Sequence, residues 1–102
     1  MQVVITGRRV SLTDQMRDYI HKKAGRLTRF YDRIQQIDVV VDREDSTFTV
    51  EALVNVEHNL EFVSRASHET IFAAVDAAVH KLERQLTDHK EKFRNRKHPP
   101  TR

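Results

Sequence analysis

SHETIFAAVDAAVHKLERQLTDHKEKF, residues 67–93, is the stretch that decides the fold of this 102-residue chain. Its apolar residues recur at the spacing of one helix face, at Ile71, Phe72, Val75, Ala78, Val79, Leu82, Leu86 and Phe93. Ser67 is predicted to cap this helix, and Glu69 to place negative charge in its first turn. Such a helix is about 40 Å long, roughly twice the length of an ordinary strand. Its C-terminal half must therefore extend beyond the sheet on which its N-terminal half packs.

The N-terminal third predicts a strand followed by a helix. Residues 1–6 form a short apolar run that Gly7 is expected to end. Thr13 is the predicted cap of a helix over residues 15–30, whose apolar positions fall at helical spacing. Gly25 weakens this helix by about 1 kcal/mol relative to alanine.

Three further strands precede the long helix. Residues 37–41 are β-branched and apolar, and residues 42–46 are predicted as a turn. Residues 48–56 and 60–66 alternate between apolar and polar with a turn at residues 58–59, as in a half-buried hairpin. The predicted fold is α+β, in the order β-α-β-β-β-α, with a four-stranded sheet and two helices packed on one face. Residues 1–94 are expected to form one domain, and residues 95–102 a basic, disordered tail.

Charge is divided unevenly along the chain, although the net charge is only +3. Residues 34–65 contain two basic and seven acidic residues, whereas the remainder contains 16 basic and eight acidic residues. Such a division can steer a polyanion to one side of a protein. It is equally typical of solvated faces, so nucleic-acid binding stays one of two open interpretations.

Composition argues against several other classes of protein. No stretch approaches the length of a membrane span and no signal peptide is evident, so a cytoplasmic location is expected. The chain has no cysteine, and its six histidines show no metal-binding spacing. There is no nucleophile motif and no glycine-rich phosphate loop. We therefore expect no enzymatic activity, no metal and no cofactor.

The basic residues of the two helices are the candidate binding residues. On a helical wheel Lys81, Gln85 and Lys92 share one flank of the long helix, with Arg84 next to them and Lys90 on the other flank. Lysine and arginine bind phosphate oxygens, and glutamine can reach a 2′-hydroxyl, which suits folded RNA. Pairing with Glu83, Asp88 and Glu91 for solubility would produce the same pattern. Both interpretations stay open on these residues alone.

Four segments together resemble a known family. They are MQVVITG (residues 1–7), LTDQMRDYI (12–20), FYDRIQQIDVVV (30–41) and HKLERQLTDHKEK (80–92). Over nearly the whole chain they resemble the bacterial hibernation-promoting factors and the related ribosome-associated inhibitor Y protein. The chain is most similar to the short members of this family.

The resemblance implies a fold like a double-stranded-RNA-binding domain and a function on the ribosome. It implies binding to rRNA of the small ribosomal subunit between head and body, where mRNA and the A- and P-site tRNAs would lie. Members inhibit translation in stationary phase or stress, and short members act with a separate ribosome modulation factor to form inactive ribosome dimers. A monomer off the ribosome and no membrane partner are expected.

The resemblance also implies particular RNA-binding residues. These are Lys23 and Arg26 on the first helix, and Lys81, Arg84, Lys90 and Lys92 on the second. The helical wheel adds Lys22, Arg29 and Gln85. The sequence departs from the family pattern at Ile71-Phe72, where Met-Tyr is frequent, and at residues 59–61, which lack the frequent glycines. The alternative from another class is a small protein-interaction module that uses its long helix, for which Phe93 is the residue to examine.

Overall fold

The computed structural model describes residues 1–97, except for the side chains of Asn59 and of residues 93–97. In chain order the elements are β1 (Gln2–Arg8), α1 (Asp14–Gly25), a 3₁₀ helix (Arg26–Arg29), β2 (Ile34–Glu44), β3 (Thr47–Val56), a 3₁₀ turn (Glu57–Asn59), β4 (Leu60–His68) and α2 (Ile71–Lys97). The sheet order is β1-β2-β3-β4, with β1 parallel to β2 and the other pairs antiparallel. The predicted β-α-β-β-β-α fold is confirmed.

The core lies between the sheet and the two helices. Alternate residues of β2 and β3 point inward, and Ile37, Val41 and Val54 are fully buried. Leu82 and Leu86 of α2 belong to the same core and are also fully buried. Successive side chains of a strand point to opposite faces of the sheet, so each strand buries residues on one face only. Both helices pack on that face. The opposite face of the sheet is left to solvent.

The first strand continues past Gly7, so the prediction that Gly7 ends it is wrong. A Cβ atom at Gly7 would lie 2.7 Å from the carbonyl oxygen of Val10, closer than van der Waals contact allows. The glycine therefore permits the chain after β1 to fold back closely. Arg9 then turns the chain with a φ of 56°.

The first helix is shorter than predicted. The Oγ1 of Thr13 accepts a hydrogen bond from the amide of Met16 at 3.1 Å, which confirms Thr13 as the cap. The α-helix ends at Gly25 rather than near residue 30, and a 3₁₀ helix follows. Glycine has a low helix propensity, and the Thr28 hydroxyl donates to the Gly25 carbonyl at 2.8 Å. The tighter turn leaves Leu27 fully buried.

The long helix begins at Ile71, so the prediction that Ser67 caps it is wrong. Ser67 belongs to β4, and its hydroxyl lies 2.8 Å from that of Thr49 on β3. Thr70 is the cap, because its Oγ1 accepts from the amide of Ala73 at 3.2 Å. Glu69 therefore precedes the helix instead of lying in its first turn. At the other end α2 includes residues 95–97 of the predicted tail, and residues 98–102 lie outside the described part of the chain.

The connection between β2 and β3 is also shorter than predicted. Both strands extend into the segment 42–46, which leaves Asp45 and Ser46 as the turn, with Asp45 at a φ of 56°. The predicted turn at residues 58–59 is confirmed, and His58 has a φ of 67°. Asparagine, aspartate and histidine adopt this left-handed conformation more readily than most residues, which explains a turn without glycine.

Candidate nucleic-acid interface

The two helices are held together by a small polar and aromatic contact. The phenol of Tyr19 on α1 donates to Oδ1 of Asp76 on α2 at 2.6 Å, and its ring meets that of Phe72 edge to face at 4.9 Å. Nζ of Lys23 lies 3.5 Å from the same Asp76 oxygen and 5.5 Å from the centre of the Tyr19 ring. The hydrogen bond to Asp76 raises the pKa of the Tyr19 phenol, because it stabilises the protonated form.

A groove runs beside this contact between the two helices. Its first part, of about 320 Å³, is lined by Lys23, Arg26, Asp76, Val79, His80 and Glu83. An adjoining depression of about 300 Å³ is lined by Phe30, His80, Glu83, Arg84, Thr87 and Asp88. His80 and Glu83 belong to both, so the groove is continuous along α2. Nδ1 of His80 lies 3.6 Å from Oε1 of Glu83, and the two form an ion pair when the imidazole is protonated.

Two guanidinium groups reach this groove from its two sides. Arg26 comes from the 3₁₀ helix after α1, and Arg84 comes from α2. Both side chains are exposed, and neither forms an ion pair with the side chains described for residues 1–58 and 60–92. Exposed guanidinium groups can bind phosphate oxygens with two parallel hydrogen bonds. Arg26 and Arg84 are therefore available for binding among the described side chains, in a groove that Glu83 and Asp88 also line, whereas Lys23 is partly neutralised by Asp76.

The other flank of α2 is engaged with the sheet. Nζ of Lys81 donates to the backbone carbonyl of Arg65 at 2.7 Å, and Nε2 of Gln85 donates to that of Val63 at 2.9 Å. Both carbonyls belong to β4. The ammonium group of Lys81 retains two of its three donors, and the Gln85 amide retains one. These two side chains therefore fasten α2 to the edge of the sheet.

The structure places six of the nine predicted residues on these two flanks. Lys23, Arg26 and Arg84 line the groove, whereas Gln85 and Lys92 line a separate depression of about 300 Å³ near Phe62 and His89, on the β4 side with Lys81. Lys22, Arg29 and Lys90 are exposed. Six of the nine residues thus lie on two surfaces on either side of α2 rather than in one cluster.

Sequence reasoning missed the residues that shape the groove. His80 and Glu83 could have been found, because they are three residues apart on one helix face. The bond between Tyr19 and Asp76 joins residues 57 positions apart, so no local pattern signals it. Phe93, which the protein-interaction alternative singles out, lies outside the described side chains.

The outer face of the sheet carries most of the acidic residues of the strands. Asp38, Asp42 and Glu51 alternate with inward residues and therefore point away from the helices. Asp42 forms a double hydrogen bond with Arg9, at 2.9 and 2.7 Å, which lowers the pKa of the carboxyl group. The groove between the helices and this acidic face lie on opposite sides of the molecule.

The described residues offer neither a metal site nor a membrane-spanning helix. Among the described residues no group of three or more histidine and acidic side chains is placed to hold a metal ion. Within the same part of the chain, no helix has both the length and the apolar character that crossing a membrane requires.

Fold and surface together define a small α+β domain with a groove between two helices, which Arg26 and Arg84 enter from both sides, and an acidic face opposite. The model of the family described as Sigma 54 modulation protein / S30EA ribosomal protein matches residues 3–94, and the chain belongs to this family. This assignment confirms the resemblance seen in the sequence. It also agrees with the expectation that the chain is not an enzyme.

Curated relatives and solved structures support the assignment. The chain is 42% identical over 92 residues to the ribosome hibernation promoting factor of Azotobacter vinelandii, covering 90% of this chain and 85% of the relative. It is 37% identical over 94 residues to that of Escherichia coli K12, covering 92% and 98%. A ribosomal subunit interface protein from Coxiella burnetii superposes with a TM-score of 0.83 at 26% identity, covering 89% of this chain and 99% of that one. The N-terminal domain of Thermus thermophilus Protein Y gives 0.79 at 28% identity, covering 87% and 99%.

Proposed function

We propose that this chain is a ribosome hibernation factor that binds rRNA of the small ribosomal subunit and inhibits translation in stationary phase or stress. The observation that carries the proposal is the groove between α1 and α2, which Arg26 and Arg84 enter from both sides without an ion-pair partner among the described side chains. Among known proteins, the relatives are named for ribosome hibernation and one structural neighbour for the subunit interface. A surface that binds phosphates suits such a role.

The proposed mechanism is steric and electrostatic. The basic helical side docks on rRNA phosphates between head and body of the small subunit, and the acidic outer face of the sheet orients the molecule by pointing away. The bound protein then occupies the positions of mRNA and of the A- and P-site tRNAs. No covalent bond forms or breaks in this mechanism, so no cofactor is required.

The role of the nine residues in this proposal follows from their surroundings. Arg26, Arg84, Lys22, Arg29, Lys90 and Lys92 are exposed and bind phosphates directly. Lys23 contributes charge while it holds Asp76. Lys81 and Gln85 use their remaining donors, because one donor of each is occupied by β4.

We further propose that the protein is cytoplasmic, is a monomer off the ribosome, and promotes inactive ribosome dimers with a separate ribosome modulation factor. The high coverage of the short relatives supports this finer proposal, since this chain covers 98% of the Escherichia coli protein. Gradient profiles of ribosomes with and without that factor distinguish dimers from idle monomers.

The test is co-sedimentation with ribosomes and separated subunits on sucrose gradients at low and moderate salt. The protein is expected to travel with the small subunit, and the doubly substituted Arg26→Gln/Arg84→Gln variant to bind at least about tenfold more weakly. The matched control is Arg8→Gln/Arg65→Gln, which removes the same charge from the outer face of the sheet. Equal binding by the two variants, or wild-type protein that stays at the top of every gradient, would contradict the proposal.

Salt dependence gives an independent check on the phosphate contacts. The logarithm of the affinity should fall linearly with the logarithm of salt concentration, because bound phosphates release counterions. The Arg26→Gln/Arg84→Gln variant should show a slope smaller by roughly one to two. Salt-independent binding would indicate an apolar protein contact instead.

A further inference from the structure

The outer edge of β4 is the feature that the proposed function leaves unused. β4 spans nine residues, lies at the end of the sheet and pairs with β3 on one side. In the described part of the chain no strand pairs with its other side. Backbone groups of a strand residue point to one side and those of the next to the opposite side. Because the carbonyls of Val63 and Arg65 are reached by side chains from outside the ladder, residues 61, 63 and 65 present their backbone groups outward.

Two of these outward carbonyls are covered from α2. Lys81 donates to Arg65 at 2.7 Å and Gln85 donates to Val63 at 2.9 Å, so consecutive acceptors of the edge are occupied. An incoming strand would need the same carbonyls for its own amides. A lysine laid over a free edge is a common protection against pairing with another chain. Without these two side chains, the same carbonyls would be open to the amides of another strand.

The sequence of the edge is complementary to itself. When two copies of β4 run antiparallel with Val63 facing Val63 of the other copy, Glu61 faces Arg65 in both directions. Opposite charges directly across an antiparallel pair are favourable, and each outward-facing pair exchanges two backbone hydrogen bonds. Within the described residues neither Glu61 nor Arg65 forms an ion pair, although Arg65 lies opposite Glu51 of β3 across the ladder. Val63, 48% exposed in the monomer, would be covered by its counterpart.

We propose that the edge of β4 is a strand-pairing surface for a second copy of this chain, closed in the monomer by Lys81 and Gln85. Pairing joins the two four-stranded sheets into one continuous sheet across a twofold axis at Val63. Both charged side chains that select this register, Glu61 and Arg65, lie on the outer face of the sheet, away from the core. Lys81 and Gln85 thus keep the free protein monomeric.

The first test removes the two covering side chains. The Lys81→Ala/Gln85→Ala variant is expected to double its mass in sedimentation equilibrium at protein concentrations where the wild type is a monomer. Circular dichroism and thermal melting show whether the variant is folded. A folded variant that stays monomeric up to the highest concentration reached by the wild type overturns the proposal.

A second test uses the charges and does not depend on the stability of one variant. In the Lys81→Ala/Gln85→Ala background, Glu61→Arg alone and Arg65→Glu alone each place like charges opposite one another, so each should be monomeric. Mixed together, these two variants should form a heterodimer, because every facing pair is then complementary. Glu44→Arg, a change of equal size at the far end of β2, should leave the dimer intact. A dimer that ignores both charge reversals overturns the proposed register.

Cross-linking tests the register directly. The chain has no cysteine, so Val63→Cys in the same background introduces one thiol per copy. Facing residues that exchange hydrogen bonds across an antiparallel pair have Cα atoms about 5.5 Å apart, within disulfide range. Oxidation should give a covalent dimer from Val63→Cys and none from Leu53→Cys on neighbouring β3. Equal cross-linking at both positions indicates random collision and overturns the pairing.

Discussion

The two flanks of α2 differ in what their polar side chains touch. On the flank that faces α1, Arg84 extends into an open groove and has no ion-pair partner among the described side chains. On the flank that faces β4, Lys81 and Gln85 each donate to a backbone carbonyl of the edge strand. Residues 81, 84 and 85 are neighbours on a helical wheel, yet the adjoining element determines which of them is free. The comparison therefore separates a side chain that is wholly available for binding from two that also fasten α2 to the sheet.

The largest effect on stability is expected from truncation of a large buried side chain of α2. Leu82 is fully buried in the middle of α2. Leu82→Ala should lower the free energy of unfolding by about 2–5 kcal/mol, because it removes buried methyl groups and leaves a cavity. Urea unfolding followed by circular dichroism measures this loss. Lys90→Ala on the exposed side of the same helix should change the free energy of unfolding by less than about 0.5 kcal/mol. Similar losses for the Leu82 and Lys90 variants would refute the importance of Leu82 burial.

Substitutions at the adjacent residues Arg84 and Gln85 should show most clearly how the two flanks differ. Arg84→Ala is expected to weaken ribosome binding about tenfold, roughly 1.4 kcal/mol, with little change in melting temperature. Gln85→Ala should instead cost about 0.5–1.5 kcal/mol of stability, since it removes the hydrogen bond to Val63. Co-sedimentation and thermal melting of the two variants measure both quantities. The division between binding and fastening residues would be incorrect if both variants lost binding alone.

On the flank of α2 that faces α1, the two helices are joined by the hydrogen bond from Tyr19 to Asp76. Tyr19→Phe should cost about 1 kcal/mol, because Asp76 loses a hydrogen-bond donor in a half-exposed position. The raised pKa of the Tyr19 phenol means that its contribution is complete below about pH 10, the ordinary value. It is lost as pH rises through the folded-state pKa. Denaturant unfolding between neutral and alkaline pH should show the wild type approaching the variant, and a constant difference would exclude the titration of Tyr19 as the cause.

The smallest effect is expected on the outer face of the sheet, at Asp42. The hydrogen bond from Arg9 lowers the pKa of this carboxyl below its ordinary value of 3.8. Its contribution is therefore complete above that value and is lost as pH falls through the lower folded-state pKa. Asp42→Asn should reduce the acid dependence of stability slightly, while ribosome binding at neutral pH stays unchanged. An Asp42→Asn variant with altered ribosome binding would show that this face takes part in docking.

The order of elements and the inward positions could be predicted because periodicity reports which side of an element is buried. Residues 48–56 and most of the apolar stripe of α2 are predicted in this way and confirmed, whereas Phe72 is exposed and Phe93 lies outside the described side chains. The helix cap could not be predicted, because both Ser67 and Thr70 can cap and only the extent of β3–β4 pairing decides between them. The role of Gly7 could not be predicted either, because it depends on the close approach of Val10.

The division of the candidate site could not be predicted from a helical wheel. A wheel shows that Lys81 and Gln85 share a flank, but the carbonyls they reach belong to an edge strand whose position depends on the whole sheet. The same holds for Tyr19 and Asp76, which meet only because α1 and α2 pack side by side. A sequence pattern shows that a charged residue is present. Contacts between distant segments decide whether its side chain is free to bind a partner.

Ser64 fixes the position of α2 along β4. It is the buried polar residue of the described core, and its hydroxyl donates to the Ala78 carbonyl at 2.8 Å. A shift of α2 by a single residue would leave that hydroxyl without its acceptor inside the core, at a cost of about 1–3 kcal/mol. This contact lies between the two strand residues, Val63 and Arg65, that Gln85 and Lys81 reach. The position of α2 along its own axis is therefore set by a contact within the core. The loop between β4 and α2 can then vary in length while both flanks of α2 keep their positions relative to β4 and α1.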